Sequence, residues 1–324
     1  MVSRTVLYLS RQDVVTVNIP MVDIIGTLER MFREKGAGKV EMPPKPGIHP
    51  RSDATMHAMA AYIPALESAG VKWVSGYPGN PEKGLPYVTG LLILNDCETG
   101  VPVAVMDCTW ITAQRTGAAT AVAAKYLARP DSARVGILAC GTQGRSNLEA
   151  LACLFPIETV KAYDLVPEIA RRYASEMGAR LDVQVESVET PADAVRGMDI
   201  VVTSGPILRH PERTIEAGWL SRGAFASAVD YDCYWRREAL REIDKLATDD
   251  LAQMAYYRKL GYFEASPEPY ADLGEIVAGR KPGRQSAEER TMAMNLGLAL
   301  DDMAVAPHVY RKALDLGIGT QLPL

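Results

Sequence analysis

The run Gly136-Ile137-Leu138-Ala139-Cys140-Gly141-Thr142-Gln143-Gly144 is where this chain could hold a phosphate. Its small residues let the backbone approach a pyrophosphate, and a helix opening at Gly141, Thr142 and Gln143 would aim unpaired N–H donors at it. Ala139 stands where such a turn usually has its first glycine. Asp164, 23 residues after Gly141, ends the next apolar stretch. A carboxylate there accepts hydrogen bonds from a ribose 2′-hydroxyl and repels a 2′-phosphate. No arginine follows until Arg171, so the cofactor these residues point to is NAD rather than NADP. The plainer reading is an ordinary α/β turn with a strand-end aspartate.

Three cations could serve a substrate anion. Lys45 lies among prolines, Lys72 in a strand-like stretch, and Arg115 in the small-residue run Thr112-Ala113-Gln114-Arg115-Thr116-Gly117-Ala118-Ala119. Small neighbours leave room for a ligand, and a guanidinium binds carboxylate or phosphate with two parallel hydrogen bonds. Each cation taken singly could equally be a solvated surface charge. The four histidines show no metal-ligand spacing and the five cysteines no CxxC pair, so no metal site is expected. An odd set of unpaired thiols fits a reduced, cytoplasmic protein. A net charge of -5 with no long basic run argues against nucleic acid and anionic membranes as partners. No apolar run approaches a membrane span, and the N-terminus lacks a secretory pattern.

The elements that must position these residues fall into two kinds. Ser10 with Asp13 reads as a capped helix start, and 21–32 has helical spacing. Pro43, Pro44, Pro46 and Pro50 impose an extended, irregular segment. Strands are expected at 71–74 and 87–94, and 101–106 returns from a turn at 96–100 to make a hairpin. An alanine-rich helix covers 111–127, and Arg129-Pro130-Asp131 breaks it. From Val135 the pattern changes to strands at 135–139, 159–163, 183–185, 199–203, 224–229 and 246–248. Helices at 146–154, 167–176 and 191–197 alternate with them. Such alternation argues a parallel, doubly wound sheet. A helix is expected over 287–316.

Several separate spans also resemble one known family, the ornithine cyclodeaminase/mu-crystallin family. Lys72-Trp73-Val74-Ser75-Gly76-Tyr77-Pro78-Gly79-Asn80 is similar to its Lys-x-x-x-x-x-Pro-x-Asn segment, and 95–102 to its hairpin. Thr112-Ala113-Gln114-Arg115-Thr116 followed by 123–129 resembles its most specific stretch. Leu273-Gly274-Glu275-Ile276 with Gly279 and Pro282-Gly283-Arg284 resembles its C-terminal signature. The resemblance covers nearly the whole chain.

That resemblance implies an α/β protein. A Rossmann-type doubly wound sheet at 129–287 would be inserted in an α+β substrate-binding and dimerisation domain made of 1–128 and 288–324. It implies a homodimer and a small amino- or imino-acid substrate. Lys45, Lys72 and Arg115 would hold the α-carboxylate, with Lys45 replacing the family's arginine. Thr116 and Gly117 would lie near cofactor phosphates, and Thr203 and Ser204 near the nicotinamide. Asp232 would move protons or activate water. Asp230 competes for that role, because Asp230-Tyr231 replaces the family's glycine-rich run. His57 falls where ornithine cyclodeaminases carry a glutamate. The implied activity is hydride exchange at an α-carbon, as an imine reductase or amino acid dehydrogenase. The alternatives are an ammonia-releasing cyclodeaminase and a non-catalytic binder of a small ligand.

Overall fold

The computed structural model describes residues 5–324. The first strand, β1 (Thr5–Leu9), leads into α1 (Arg11–Val17), which Ser10 and Asp13 cap reciprocally as the sequence suggested. Then come α2 (Met21–Gly36), β2 (Gly47–Arg51), β3 (Ala54–Ile63), β4 (Ser68–Gly76), β5 (Val88–Asn95), β6 (Pro102–Asp107) and α3 (Thr109–Leu127). The second set runs β7 (Arg134–Leu138), α4 (Thr142–Ala152), β8 (Thr159–Tyr163), α5 (Pro167–Leu181), β9 (Gln184–Ser187), α6 (Pro191–Val195), β10 (Ile200–Thr203) and β11 (Phe225–Ala228). It continues with α7 (Arg237–Leu240), β12 (Lys245–Thr248), α8 (Leu251–Lys259), β13 (Ala271–Asp272), α9 (Leu273–Val277) and β14 (Thr291–Met294). The chain ends with α10 (Ala299–Leu316) and β15 (Thr320–Pro323).

The contacts divide the chain into two compact units, 1–115 with 298–324 and 116–297, and the division cuts α3 after Arg115. The first unit holds a seven-stranded sheet ordered β15-β1-β6-β5-β4-β3-β2, antiparallel except where β1 meets β6. The period-2 alternation of these strands gives the sheet two faces. One carries Leu9, Met59, Ile63, Leu92 and Met106, all buried, and α10 lies on it. The second unit holds an eight-stranded parallel sheet ordered β13-β12-β14-β11-β10-β7-β8-β9. Strand order reverses at β7, the place where ligands bind in open parallel sheets.

Three expectations need correction. The segment read as one helix over 287–316 contains β14, a strand inside the parallel sheet, and turns helical only at Ala299. Thr291-Met292-Ala293-Met294 is buried on both faces, so it shows no alternation, and methionine and alanine favour helix locally. The proline-rich segment read as extended and irregular is extended but contributes a regular strand, β2, at the sheet edge where Pro50 withdraws no central hydrogen bond. The helix read from 146 already begins at Thr142. No helix of the described residues is long and apolar enough to cross a membrane, and no group of three metal-ligating side chains occurs among them.

Candidate active site

In the first unit, β3 and β4 pair so that Met59 faces Lys72 and His57 faces Val74. The alternation therefore puts His57 and Lys72 on the face that meets α10. Lys72 is fully buried; its ammonium forms an ion pair with Asp302 Oδ2 at 2.5 Å and donates to Thr112 Oγ1 at 3.4 Å. Burial pushes the Lys72 amine below its ordinary range, against the pull of Asp302. Arg115 donates from Nη1 to Asp301 Oδ2 at 3.2 Å and from Nε to Asp302 Oδ1 at 3.3 Å. Both acids sit in the first turn of α10, where the helix dipole favours negative charge. Burial raises the Asp301 carboxyl to about 6 although Arg115 and the Leu298 N–H favour its charged form.

Lys45 is 9% exposed, just before β2. His57 lies beside it: the imidazole occupies the space a Cβ on Gly47 would need, 2.5 Å from Nδ1, so a larger residue at 47 would displace the ring. Burial first, then the charges of Lys45, His49 and Lys72, lower the His57 pKa to about 4. His57 is therefore neutral at pH 7. The structure thus brings Lys45, His57, Lys72 and Arg115 into one electrostatically coupled group. It also adds Asp301 and Asp302, which the sequence reading did not single out. Two adjacent acids at a helix start were the available signal, and they look the same as ordinary dipole-complementing residues.

In the second unit the turn after β7 can be tested against a dinucleotide. Gly141 caps α4 with no side-chain hydrogen bond to the helix N–H groups, and a Cβ there would meet open space. A Cβ at Gly144 would lie 2.6 Å from Ala139 O, so the turn is as tight as the pyrophosphate approach demands. Ala139 takes φ 72°, the left-handed conformation for which glycine is the usual residue. Gly117 presses α3 onto α4, where a Cβ would lie 2.2 Å from Ser146 O. Thr116 is buried beside it. Asp164 follows β8 and accepts from Cys140 N at 2.9 Å and Val166 N at 3.0 Å, which ties it to the turn. These residues fit a dinucleotide. Arg145, which precedes Asp164 in the chain, donates to Cys140 O and Gly141 O and pairs with Glu176. Arg171 is engaged by Glu168.

At the C-terminal edge of the same sheet, Thr203 Oγ1 donates to Asp230 Oδ1 at 2.8 Å and Gly205 N to Asp230 Oδ2 at 2.8 Å. Asp230 is fully buried, and burial raises its carboxyl to about 7. Ser204 donates to Ala139 O, linking this edge to the turn after β7. Asp232 is turned elsewhere. Its Oδ2 accepts from Arg213 at 3.1 Å and from Ala265 N at 3.1 Å. Between them Tyr231 takes φ 66° and packs its ring 4.5 Å from that of Phe263.

The model of the ornithine cyclodeaminase/mu-crystallin family matches residues 6–317. Alanine dehydrogenase of Archaeoglobus fulgidus is 38% identical over 327 residues, 98% of each chain. Among solved structures, Δ(1)-pyrroline-2-carboxylate reductase of Thermococcus litoralis in complex with NADH and L-proline has TM-score 0.89 and 36% identity, covering 98% of this chain and 100% of that one. An archaeal alanine dehydrogenase dimer with bound NAD has TM-score 0.88 and 36% identity, covering 99% and 100%.

Proposed function

This chain belongs to the ornithine cyclodeaminase/mu-crystallin family, and from that premise we propose that it is an NAD-dependent oxidoreductase that interconverts an amino acid and its imine. The observation that carries this choice within the family is the neutral His57 beside Lys45 and Lys72. Cyclisation needs a distal ammonium held near the α-carbon. A neutral imidazole among cations gives that ammonium no anionic partner. A screen of amino acids and 2-oxo acids with amine donors, read for NADH and ammonia together, tests it. The expected result is net NADH change with a neutral or acidic substrate. Efficient conversion of ornithine to proline without net NADH would overturn it.

Bound NAD would supply the hydride donor or acceptor for the substrate's α-carbon. Gly141, Thr142 and Gln143 would hold its pyrophosphate on the N-terminus of α4, with Thr116 nearby, and Asp164 its adenosine ribose. Thr203 and Ser204 would border the nicotinamide. Lys45, Lys72 and Arg115 would bind the substrate carboxylate, with His57 against the side chain. Because Asp164 repels a 2′-phosphate and Arg171 is already paired, NADH should bind at least tenfold more tightly than NADPH, about 1.4 kcal/mol. Fluorescence titration of both measures this, and Asp164→Ser should narrow the gap.

For proton exchange with the substrate nitrogen or water, we favour Asp230 over Asp232. Its pKa of about 7 suits a group that must gain and lose a proton near neutrality, whereas Asp232 is held by Arg213 and Ala265. Folding raises the Asp230 pKa, so the folded state binds more protons than the unfolded one between pH ~4 and ~7. Stability from this group is present at low pH and lost as pH rises through that window. Asp230→Asn should therefore gain stability relative to the parent as pH rises from 4 to 8 while losing kcat. Asp232→Asn should lower Tm more than it changes the pH profile of kcat. Melting curves and pH–rate profiles of both variants check this, and the reverse pattern would reassign the role to Asp232.

We also assign it a homodimer. The outer face of the seven-stranded sheet exposes Tyr8, Trp73 and Leu91 at 37%, 45% and 44%, an apolar strip suited to a second copy. The five free cysteines fit the cytoplasm.

A further inference from the structure

The C-terminal edge of the parallel sheet holds an amide that the fold leaves without a partner. Asn295 follows β14 and is 4% exposed. Its backbone N–H donates to Ala228 O, but neither its side-chain Nδ2 nor its Oδ1 has a hydrogen-bond partner. Nearby backbone is well held: Gly297 N donates to Asp249 Oδ2 at 2.8 Å, and Gln253 Nε2 reaches Gly297 O at 3.4 Å. An orphaned buried amide is destabilising, and an apolar residue of the same size would avoid the cost. Stability alone therefore does not account for asparagine here.

The sheet order says which end of a dinucleotide this edge would meet. With the pyrophosphate at the turn after β7 and the adenosine ribose at Asp164 after β8, the other half extends the opposite way, over β10 and β11. Asn295 follows directly on β14, the next strand after β11, in the register that places Ala228 opposite Met294. The group at that end of NAD that needs one donor and one acceptor side by side is the nicotinamide carboxamide, and a primary amide offers both. We propose that Asn295 recognises this carboxamide, with Nδ2 donating to its carbonyl and Oδ1 accepting from its N–H. This rests on the dinucleotide reading above and adds a residue to it.

The test is calorimetric binding of NADH and of ADP-ribose, which lacks the nicotinamide, to the parent, Asn295→Ala and Asn295→Leu. Loss of two hydrogen bonds to the carboxamide should weaken NADH about tenfold or more in both variants, with ADP-ribose unchanged within about twofold. NADH binding as tight as in the parent would overturn the inference. So would parallel losses for NADH and ADP-ribose in both variants, which would mark Asn295 as a structural residue. If the parent bound neither ligand, the dinucleotide reading itself would fail, and the inference with it.

Discussion

Arg115→Ala is expected to lower kcat/KM by roughly 2–5 kcal/mol of transition-state binding, about 30-fold to several thousandfold. The guanidinium is the planar cation of the group, and it is buried and held in orientation by Asp301 and Asp302. Pre-set by two carboxylates, it would lose little freedom on meeting a third from a substrate. Arg115→Lys keeps the charge without the fork and should remain impaired, because an ammonium cannot serve both acids and a ligand with the same geometry. Removing Arg115 also strips counter-charge from Asp301 and Asp302, so folded variant must be counted, by NADH binding stoichiometry, before rates are compared. Near-parental kcat/KM for Arg115→Ala on the best substrate would remove Arg115 from the site.

The pair Lys72–Asp302 should show the largest stability effect in the molecule. Both side chains are buried, and their charged atoms lie 2.5 Å apart. Breaking such a pair from one side leaves a desolvated charge, at a cost of about 3–5 kcal/mol. Against a total stability of roughly 5–15 kcal/mol that is a large fraction. Asp302→Asn should therefore lower Tm sharply. The deficit should deepen as pH falls, since folding holds the Lys72 amine below its ordinary pKa and the unfolded chain binds more protons. The double variant Lys72→Met, Asp302→Leu removes both charges and should recover most of the stability but no activity. Denaturant titrations of the parent and both variants measure this. If the double variant were no more stable than Asp302→Asn, the pair would not be the interaction at stake.

The sequence made the nucleotide half legible because its signals are local. The turn at Gly141, the strand-end Asp164 and the alternation from Val135 onward lie within short spans with known backbone meaning. The buried charged cluster of the first unit was legible only in part. Lys45, His57, Lys72 and Arg115 could be named, but the acids that orient two of them come from α10, 186 residues beyond Arg115 in the case of Asp301. No local pattern links residues so far apart. β14 escaped for a different reason: a strand buried on both faces has no period-2 signature, and its Met-Ala composition reads as helix. Asp230 and Asp232 could not be told apart by spacing. Their different partners follow from the left-handed turn at Tyr231, which sends the two carboxylates to different neighbours.

The account stands most directly on where the hydride goes. With NADH deuterated at C4 and the best imine or oxo-acid-plus-amine substrate, the product's α-carbon can be read by mass spectrometry alongside NADH consumption. The expected result is one deuterium at the α-carbon for each NADH consumed. Turnover that releases ammonia from a diamino acid with no net loss of NADH, and no deuterium accumulating in product, would contradict it.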